Sequence, residues 1–204
     1  MKIALFGATG RTGRIILKLA RQEGHFVNAL VRNSASLSSN DATVIIGDAT
    51  NANAVMETVA TSQAVISALG TDGGTVLTEA LPKIITAMKK QGISRLITIG
   101  TAGILNSRLE EGKLRYESSE SRRRLTRAAE EHRRVYELLA ASDLDWTIVC
   151  PTYLPDGEMT KHYRVEKDYL PEDGREISTG DTAYFTYRQL FSEDYYKTRV
   201  GIAY

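Results

Sequence analysis

"FGATGRTG", Phe6 to Gly13, is the stretch from which the rest of the chain is read. An apolar run, "KIALF" (Lys2–Phe6), leads into it. "RTGRIILKLARQEG" follows, with Ile15, Ile16, Leu19 and Ala20 on one helical face and Gly24 at a fitting stop. Strand, glycine turn and helix form the context in which such a loop holds phosphate. Glycine permits the tight turn and close backbone approach, and the helix start offers unpaired N–H groups and the positive end of a dipole. Gly7, Gly10 and Gly13 follow a Gly-x-x-Gly-x-x-Gly spacing, not the Gly-x-Gly-x-x-Gly of the commonest dehydrogenases. The bland alternative is a glycine-rich turn with no ligand; the flanking strand and helix favour a dinucleotide. The loop lacks the Gly-Lys-Ser/Thr ending that phosphoryl transfer needs.

Outward from this loop, strand and helix signals alternate. Phe26–Val31, Ala42–Gly47, Ala64–Leu69, Arg95–Gly100 and Trp146–Cys150 read as strands, the last ended by Pro151. Asn51–Ala60 reads as a helix with Asn51 as its N-cap. "LTEALPKIITAMKKQG" (Leu77–Gly92) reads as another, with an irregular first turn expected from Pro82. The charged segment Arg108–Arg134 predicts a solvated amphipathic helix in its second half. Leu125, Ala129, His132, Tyr136 and Leu139 share a face there, and Glu120–Arg124, Arg127–Glu131 and Glu130–Arg134 are four-apart pairs. The last fifty residues suggest a strand near Tyr163–Lys167, a helix near Asp181–Phe191 and a strand near Thr198–Ala203. Short uninterrupted apolar strands alternating with helices imply an α/β fold: a doubly wound parallel sheet covered on both faces. We expect one dinucleotide-binding domain over residues 1–204, with about 151–204 lining the substrate side. In such a sheet, ligands sit beyond the carboxyl ends of the strands.

The residue ending the second strand selects the cofactor. NAD sites place Asp or Glu there for the ribose hydroxyls. Here the strand ends "ALVRNSAS", so the position belongs to Arg32, and no acid appears before Asp41. Arginine suits a 2′-phosphate and can stack on adenine, which favours NADP(H) over NAD(H). Ser34 and Ser36 could add hydroxyls, and Arg11 a second phosphate contact. Asp48, the Leu69–Gly70–Thr71 loop and Thr101 follow later strands along the same sheet edge.

Composition narrows the setting. The net charge of +1 gives no push toward nucleic acid or a membrane surface. No run approaches the roughly 20 apolar residues that span a bilayer. The start of the chain does not read as a signal peptide, and one cysteine, Cys150, excludes an internal disulfide. The expectation is a cytoplasmic protein, monomeric or a small homo-oligomer, acting on a small-molecule acceptor without nucleic acid or membrane. His25, His132 and His162 have no metal spacing, and His132 and Cys150 read as packing residues.

Over nearly its whole length the chain resembles an atypical member of the short-chain dehydrogenase/reductase superfamily. It is most similar to the biliverdin IX-beta reductase/flavin reductase type, which shares the Rossmann-type fold. The stretches that carry the likeness include "IALFGATGRTG", "VNALVRNSAS", "VIIGDAT", "AVISALGT", "AMKKQGISRLITIGTAG" and "YELLAASDLDWTIVCPTYL". The resemblance implies that Gly7, Thr9, Gly10, Arg11, Thr12 and Gly13 hold phosphates and that Arg32 and Ser34 hold the 2′-phosphate. It also implies that Asp48 and Ala49 contact adenine and that Leu69, Gly70 and Thr71 lie along the ribose. Thr101 would sit near the nicotinamide, and Pro151, Thr152 and Tyr153 would border nicotinamide and substrate. Three positions depart from the family: Thr101 replaces a serine, Tyr153 a histidine, and Ser36 a basic residue. Tyrosine keeps a donor but, with an ordinary pKa near 10, not a group titrating near neutrality.

Ordinary members of the superfamily pair a tyrosine with a lysine four residues later, on the helix before the sixth strand, so that the phenol serves as acid or base. "YRVEK" (Tyr163–Lys167) matches that spacing but follows the sixth strand and reads as a strand itself. Tyr136 is followed at four residues by Ala140, and Tyr116 by Glu120. Without the dyad, the expected activity is NADPH-dependent hydride transfer to a conjugated acceptor of flavin, quinone-like or linear tetrapyrrole type. Thr101 and Tyr153 would orient it, with Ile104, Leu105 and Tyr163 as a wall. A non-catalytic NADP(H)-sensing regulator is the alternative. A nucleotide-sugar epimerase or ketoreductase, which needs the dyad, ranks last.

Overall fold

The structure, a computed structural model, describes residues 1–33, 37, 42–71, 73–121 and 125–204. They form β1 (Lys2–Phe6), α1 (Arg11–Gln22), β2 (Phe26–Val31), β3 (Thr43–Ile46), α2 (Ala52–Val59), β4 (Ala64–Ser67), α3 (Val76–Gln91) and β5 (Arg95–Ile99). Then come α4 (Arg127–Ala140), β6 (Asp145–Pro151), β7 (Arg164–Lys167), α5 (Thr179–Arg188) and β8 (Thr198–Ala203). The strands make one sheet in the order β3-β2-β1-β4-β5-β6-β8-β7. Every pairing is parallel except that of β7 with β8. The order runs outward from β1 in both directions, so the crossovers reverse between β1 and β4. That reversal opens a crevice at the carboxyl edge.

Alternation within the strands builds two cores. Ala4 and Phe6 of β1, Val65 of β4 and Leu96 of β5 face one side, where Val55, Leu77, Ile84, Met88, Val135 and Leu139 cover them from α2, α3 and α4. Ile3, Leu5, Ile66 and Ile97 face the other, under Ile16, Leu17 and Ala20 of α1 and Ala183 and Phe185 of α5. Period-two burial on both faces is what continuous apolar strands require of a doubly wound sheet.

Most expected boundaries hold within a residue or two, and Asn51 caps α2 by accepting from the amides of Asn53 and Ala54 at 2.9 and 3.1 Å. Three local expectations change. α3 passes Pro82 without a break. Its first turn is tied by the Thr78 hydroxyl, which donates to Thr75 O at 3.0 Å, and by the buried Glu131 of α4, which accepts from the Thr78 amide at 3.3 Å. The charged segment does not continue α4 toward its N-terminus. Leu125 precedes the helix and is 88% exposed, and residues 108–121 form a loop pinned by side chains. Arg134 pairs with Glu131 rather than Glu130, whose carboxylate instead takes the Thr126 hydroxyl. Glu120 pairs with Arg115; Arg122–Arg124 lie outside the described residues. Pro151 belongs to β6, paired with Ile202, instead of ending the strand before it.

Candidate cofactor and acceptor site

Two cavities sit on the carboxyl edge, the first straddling the crossover reversal and the second beyond β5 and β6. The first is lined by Gly7, Thr9 and Gly10 after β1, Arg32 after β2, Gly47–Ala49 after β3 and Ala68–Gly70 after β4. Its floor is set by backbone proximity. A Cβ on Gly7, whose φ is +78°, would lie 2.4 Å from Ala68 O, and one on Gly13 would lie 2.0 Å from Gly7 O. Only hydrogen fits at either place, so the loop and the α1 start close on each other. Gly10 caps α1 without a side-chain bond, and no acid occupies the first turn. Among the described residues the amides of Arg11, Thr12 and Gly13 have no hydrogen-bond partner, while Gly10 N reaches Gly7 O at 3.0 Å. Bare amides at a helix start are an anion cradle.

Around the cradle, Asp48 is fixed before any ligand meets it. Its Oδ1 accepts from the amide and hydroxyl of Thr50 at 2.8 and 2.7 Å. These bonds, with Arg32 nearby, lower its pKa and keep it a carboxylate. Ala49 is buried beside it. Thr71 lies just past the described lining, its carbonyl taking the Gly74 amide at 2.8 Å. Arg11 points away from the loop: Nη1 donates to Leu154 O at 3.1 Å and meets Asp156 Oδ1 at 2.9 Å, a link from α1 to the stretch after β6. Ser34 and Ser36 lie outside the described residues.

The second cavity, about 490 Å³, opens beyond β5 and β6. That volume is in the range of small-molecule sites. Thr101, Thr152 and Tyr153 line it as expected, joined by Ala102, Arg115, Tyr116, Leu125, Ala129 and Arg175. Thr101 Oγ1 accepts from the Gly103 amide at 3.4 Å, leaving its proton free to donate. The turn after Thr101 is anchored by Arg199 of β8. This buried guanidinium donates to Ile104 O at 2.5 Å and Asn106 Oδ1 at 2.9 Å and meets Asp168 at 3.0 Å. Tyr153 is 59% exposed at the mouth, and its carbonyl accepts from Ile177 N at 2.9 Å.

The expected wall is corrected. Ile104 and Leu105 are fully buried under α4, inside the core. Tyr163 stacks edge-on against Phe185 near α5, and burial pushes its phenol up to about 12. With Lys167 it brackets the edge strand β7, away from both cavities among the described residues. Pro151 is buried in β6 and lines neither cavity. The wall comes instead from residues 115–121, from Leu125 and from α4, which sequence spacing does not reveal. Tyr116 also gains a cation from a distance, since Arg133 of α4 donates to its hydroxyl at 3.1 Å. Cys150 is fully buried, and burial pushes its thiol up to about 12, so it is packing, not a nucleophile. His132 is buried too and pushed down to about 4, as befits a neutral packing residue. Among the described residues, no group of three or more His, Cys, Asp or Glu is placed to hold a metal ion. No helix among them is long and apolar enough to cross a membrane.

Glycine loop, bare amides and twin cavities at a crossover reversal define a dinucleotide-binding sheet. The chain belongs to the NAD(P)H-binding family, whose profile matches residues 7–193. The Bacillus subtilis (strain 168) protein YwnB, itself uncharacterized, is 30% identical over 175 residues, covering 82% of this chain and 80% of that one. Among solved structures, a Burkholderia pseudomallei protein provisionally named as exported superposes over the full length of both chains at TM-score 0.86 and 26% identity. ChuY, an anaerobillin reductase of Escherichia coli O157:H7, shares the fold at TM-score 0.83 and 23% identity, over 100% of this chain and 97% of that one.

Proposed function

We propose that the protein is an NADPH-dependent reductase that passes hydride to a conjugated small-molecule acceptor. The observation that carries this reading is the pair of cavities on one sheet edge. The first ends in a phosphate cradle with Arg32 at its rim; the second is a ligand-sized, largely apolar space beside Thr101. A dinucleotide laid across the reversal has its phosphates at the amides of Arg11, Thr12 and Gly13. Its adenosine lies toward Asp48 and Ala49, and its nicotinamide toward Thr101 and Thr152. Arg32 would pair with a 2′-phosphate, which favours NADPH over NADH. The bound reduced nicotinamide supplies the hydride, and the protein supplies position. Thr101 holds a hydroxyl proton next to the acceptor, and Tyr153 covers its open side. No lysine-activated phenol is invoked, which suits an acceptor already electrophilic through conjugation. ChuY, a reductase on the same fold, adds support.

The test is direct. Mixed with flavins, quinones and biliverdin, the protein is expected to consume NADPH with at least one of them. Tight NADPH binding with no turnover across that panel would sink the reductase and leave a nucleotide sensor.

A further inference from the structure

Two buried arginines of the sheet, Arg95 and Arg199, are tied to different parts of the molecule. They are almost equally hidden, at 7% and 5% exposed. Arg95 begins β5, at the amino edge opposite the cavities. Its Nη2 and Nε donate to Gln189 O at 2.6 and 3.2 Å, and its Nη1 to Asp145 O at 2.7 Å and Thr147 Oγ1 at 2.9 Å. These acceptors lie at the start of β6 and just after α5.

Arg199, in β8 opposite Ile148 of β6, reaches instead to the turn that follows Thr101. Nη1 donates to Ile104 O and Nη2 to Asn106 Oδ1, while Nε meets the carboxylate of Asp168. Main chain closes the ring: Asn106 N donates to Asp168 O at 2.9 Å, and Asp168 N to Arg199 O at 2.7 Å. Asp168 holds its place at φ +59°, a left-handed conformation that side chains rarely adopt and that the surrounding bonds sustain. The guanidinium lies over the ring of Tyr136 of α4, 4.3 Å from its centroid.

The turn so held is short. Thr101 caps it, its Oγ1 accepting from Gly103 N, and Ile104 N donates back to Thr101 O at 3.1 Å. The direction of the Thr101 hydroxyl is therefore tied to the pitch of Ala102–Ile104, whose far end Arg199 grips. Arg199 lines neither cavity among the described residues. An apolar side chain of similar volume is often as stable in a buried place as a paired guanidinium. What it cannot do is fix two acceptors of one turn at once.

We infer that Arg199 is a positioning residue: through the Ala102–Ile104 turn it aims the Thr101 hydroxyl at the acceptor, without touching cofactor or acceptor itself. The inference rests on the reductase reading and adds a residue to the same site.

Arg199→Lys keeps the charge and loses the fork. With NADPH and an acceptor that the wild type reduces, kcat should fall roughly tenfold to a hundredfold, as a misplacement of about 1 Å would cause, while KM for NADPH stays put. Arg95→Lys disturbs an equally buried guanidinium and should lower Tm without lowering kcat. A cycle with Thr101→Val reads the link. In that background Arg199→Lys should cost little more, because the hydroxyl it aims is gone. Threonine couplings measured by NMR on the NADP⁺-loaded protein report the Thr101 rotamer without turnover; Arg199→Lys should change it and Arg95→Lys should not. A rotamer so changed, in a protein that reduces none of the flavins, quinones or biliverdin, upholds the Arg199 assignment and removes the reductase reading. An unchanged rotamer overturns the inference. So does a kcat that Arg199→Lys leaves intact, or losses from Arg199→Lys and Thr101→Val that simply multiply. If Arg199→Lys fails to fold, Asn106→Ala asks the same question, since it deletes one acceptor beside the turn and keeps the Arg199–Asp168 pair.

Discussion

Around Gly7–Gly13 the wall is main chain: amides, glycines and strand ends held in register by β1, β2, β3 and β4. Around Thr101–Tyr153 it is residues brought from 115–121, from Leu125, from α4 and from the segment carrying Arg175. A main-chain wall is fixed by topology and varies little with sequence. A side-chain wall can change its preferences without disturbing the sheet. On the proposed reading, the first cavity therefore states a class, and the second states which molecule the class member serves.

The sharpest break of that contrast is Gly13→Ala. The new Cβ would meet Gly7 O at 2.0 Å, backbone that has nowhere to go. We expect the NADPH thermal shift to vanish and stability to fall by about 3 kcal/mol, the upper part of the range for overpacking. An unchanged shift would show that the loop is not the phosphate site.

On the other half, acid should act through α4. His132 of α4 is buried and stands at about 4, below its ordinary 6.5, held down by desolvation with Glu131 pulling the other way. A histidine depressed in the folded state binds its proton more readily when unfolded. Its contribution is therefore full above pH 6.5 and is lost as pH falls toward 4, by about 3 kcal/mol in all. Urea midpoints between pH 7 and 4 should show this fall, and His132→Leu should flatten it. A profile that His132→Leu leaves unchanged removes the assignment.

The mildest change sharpens the nucleotide half. Arg32→Glu is expected to weaken NADPH binding by roughly tenfold to a hundredfold while altering NADH binding much less. Equal losses for the two nucleotides would make Arg32 a surface residue only.

This contrast also explains what could be read in advance. Period-two strands and a glycine turn are local signals, so β1, α1, the two-sided core and, in the first cavity, Gly7, Gly10, Arg32, Asp48, Leu69 and Gly70 were legible from spacing and strand ends. Thr101 was legible because it follows a strand, and Thr152 and Tyr153 through the family resemblance. Ile104 and Leu105 were misplaced because proximity to Thr101 in the chain says nothing about which way a tight turn points its side chains. Arg115, Tyr116, Leu125 and Arg175 were missed for a related reason. Each reaches the cavity through loop paths set by distant contacts, such as Arg199 on Ile104 and Thr152 on Arg175. Arg133 meeting Tyr116 is the same lesson, since a cation beside a phenol need not lie four residues along.

Cys150 gives the molecule a built-in clock. The thiol is sealed in β6, between β5 and β8, and burial keeps it protonated. A thiol reagent can reach it only when the middle of the sheet parts, so labelling counts rare large openings and ignores fraying at β3 or β7. The pace of that reaction reports how firmly the strands carrying Thr101 and Thr152 are clasped, and how much a bound nucleotide tightens them.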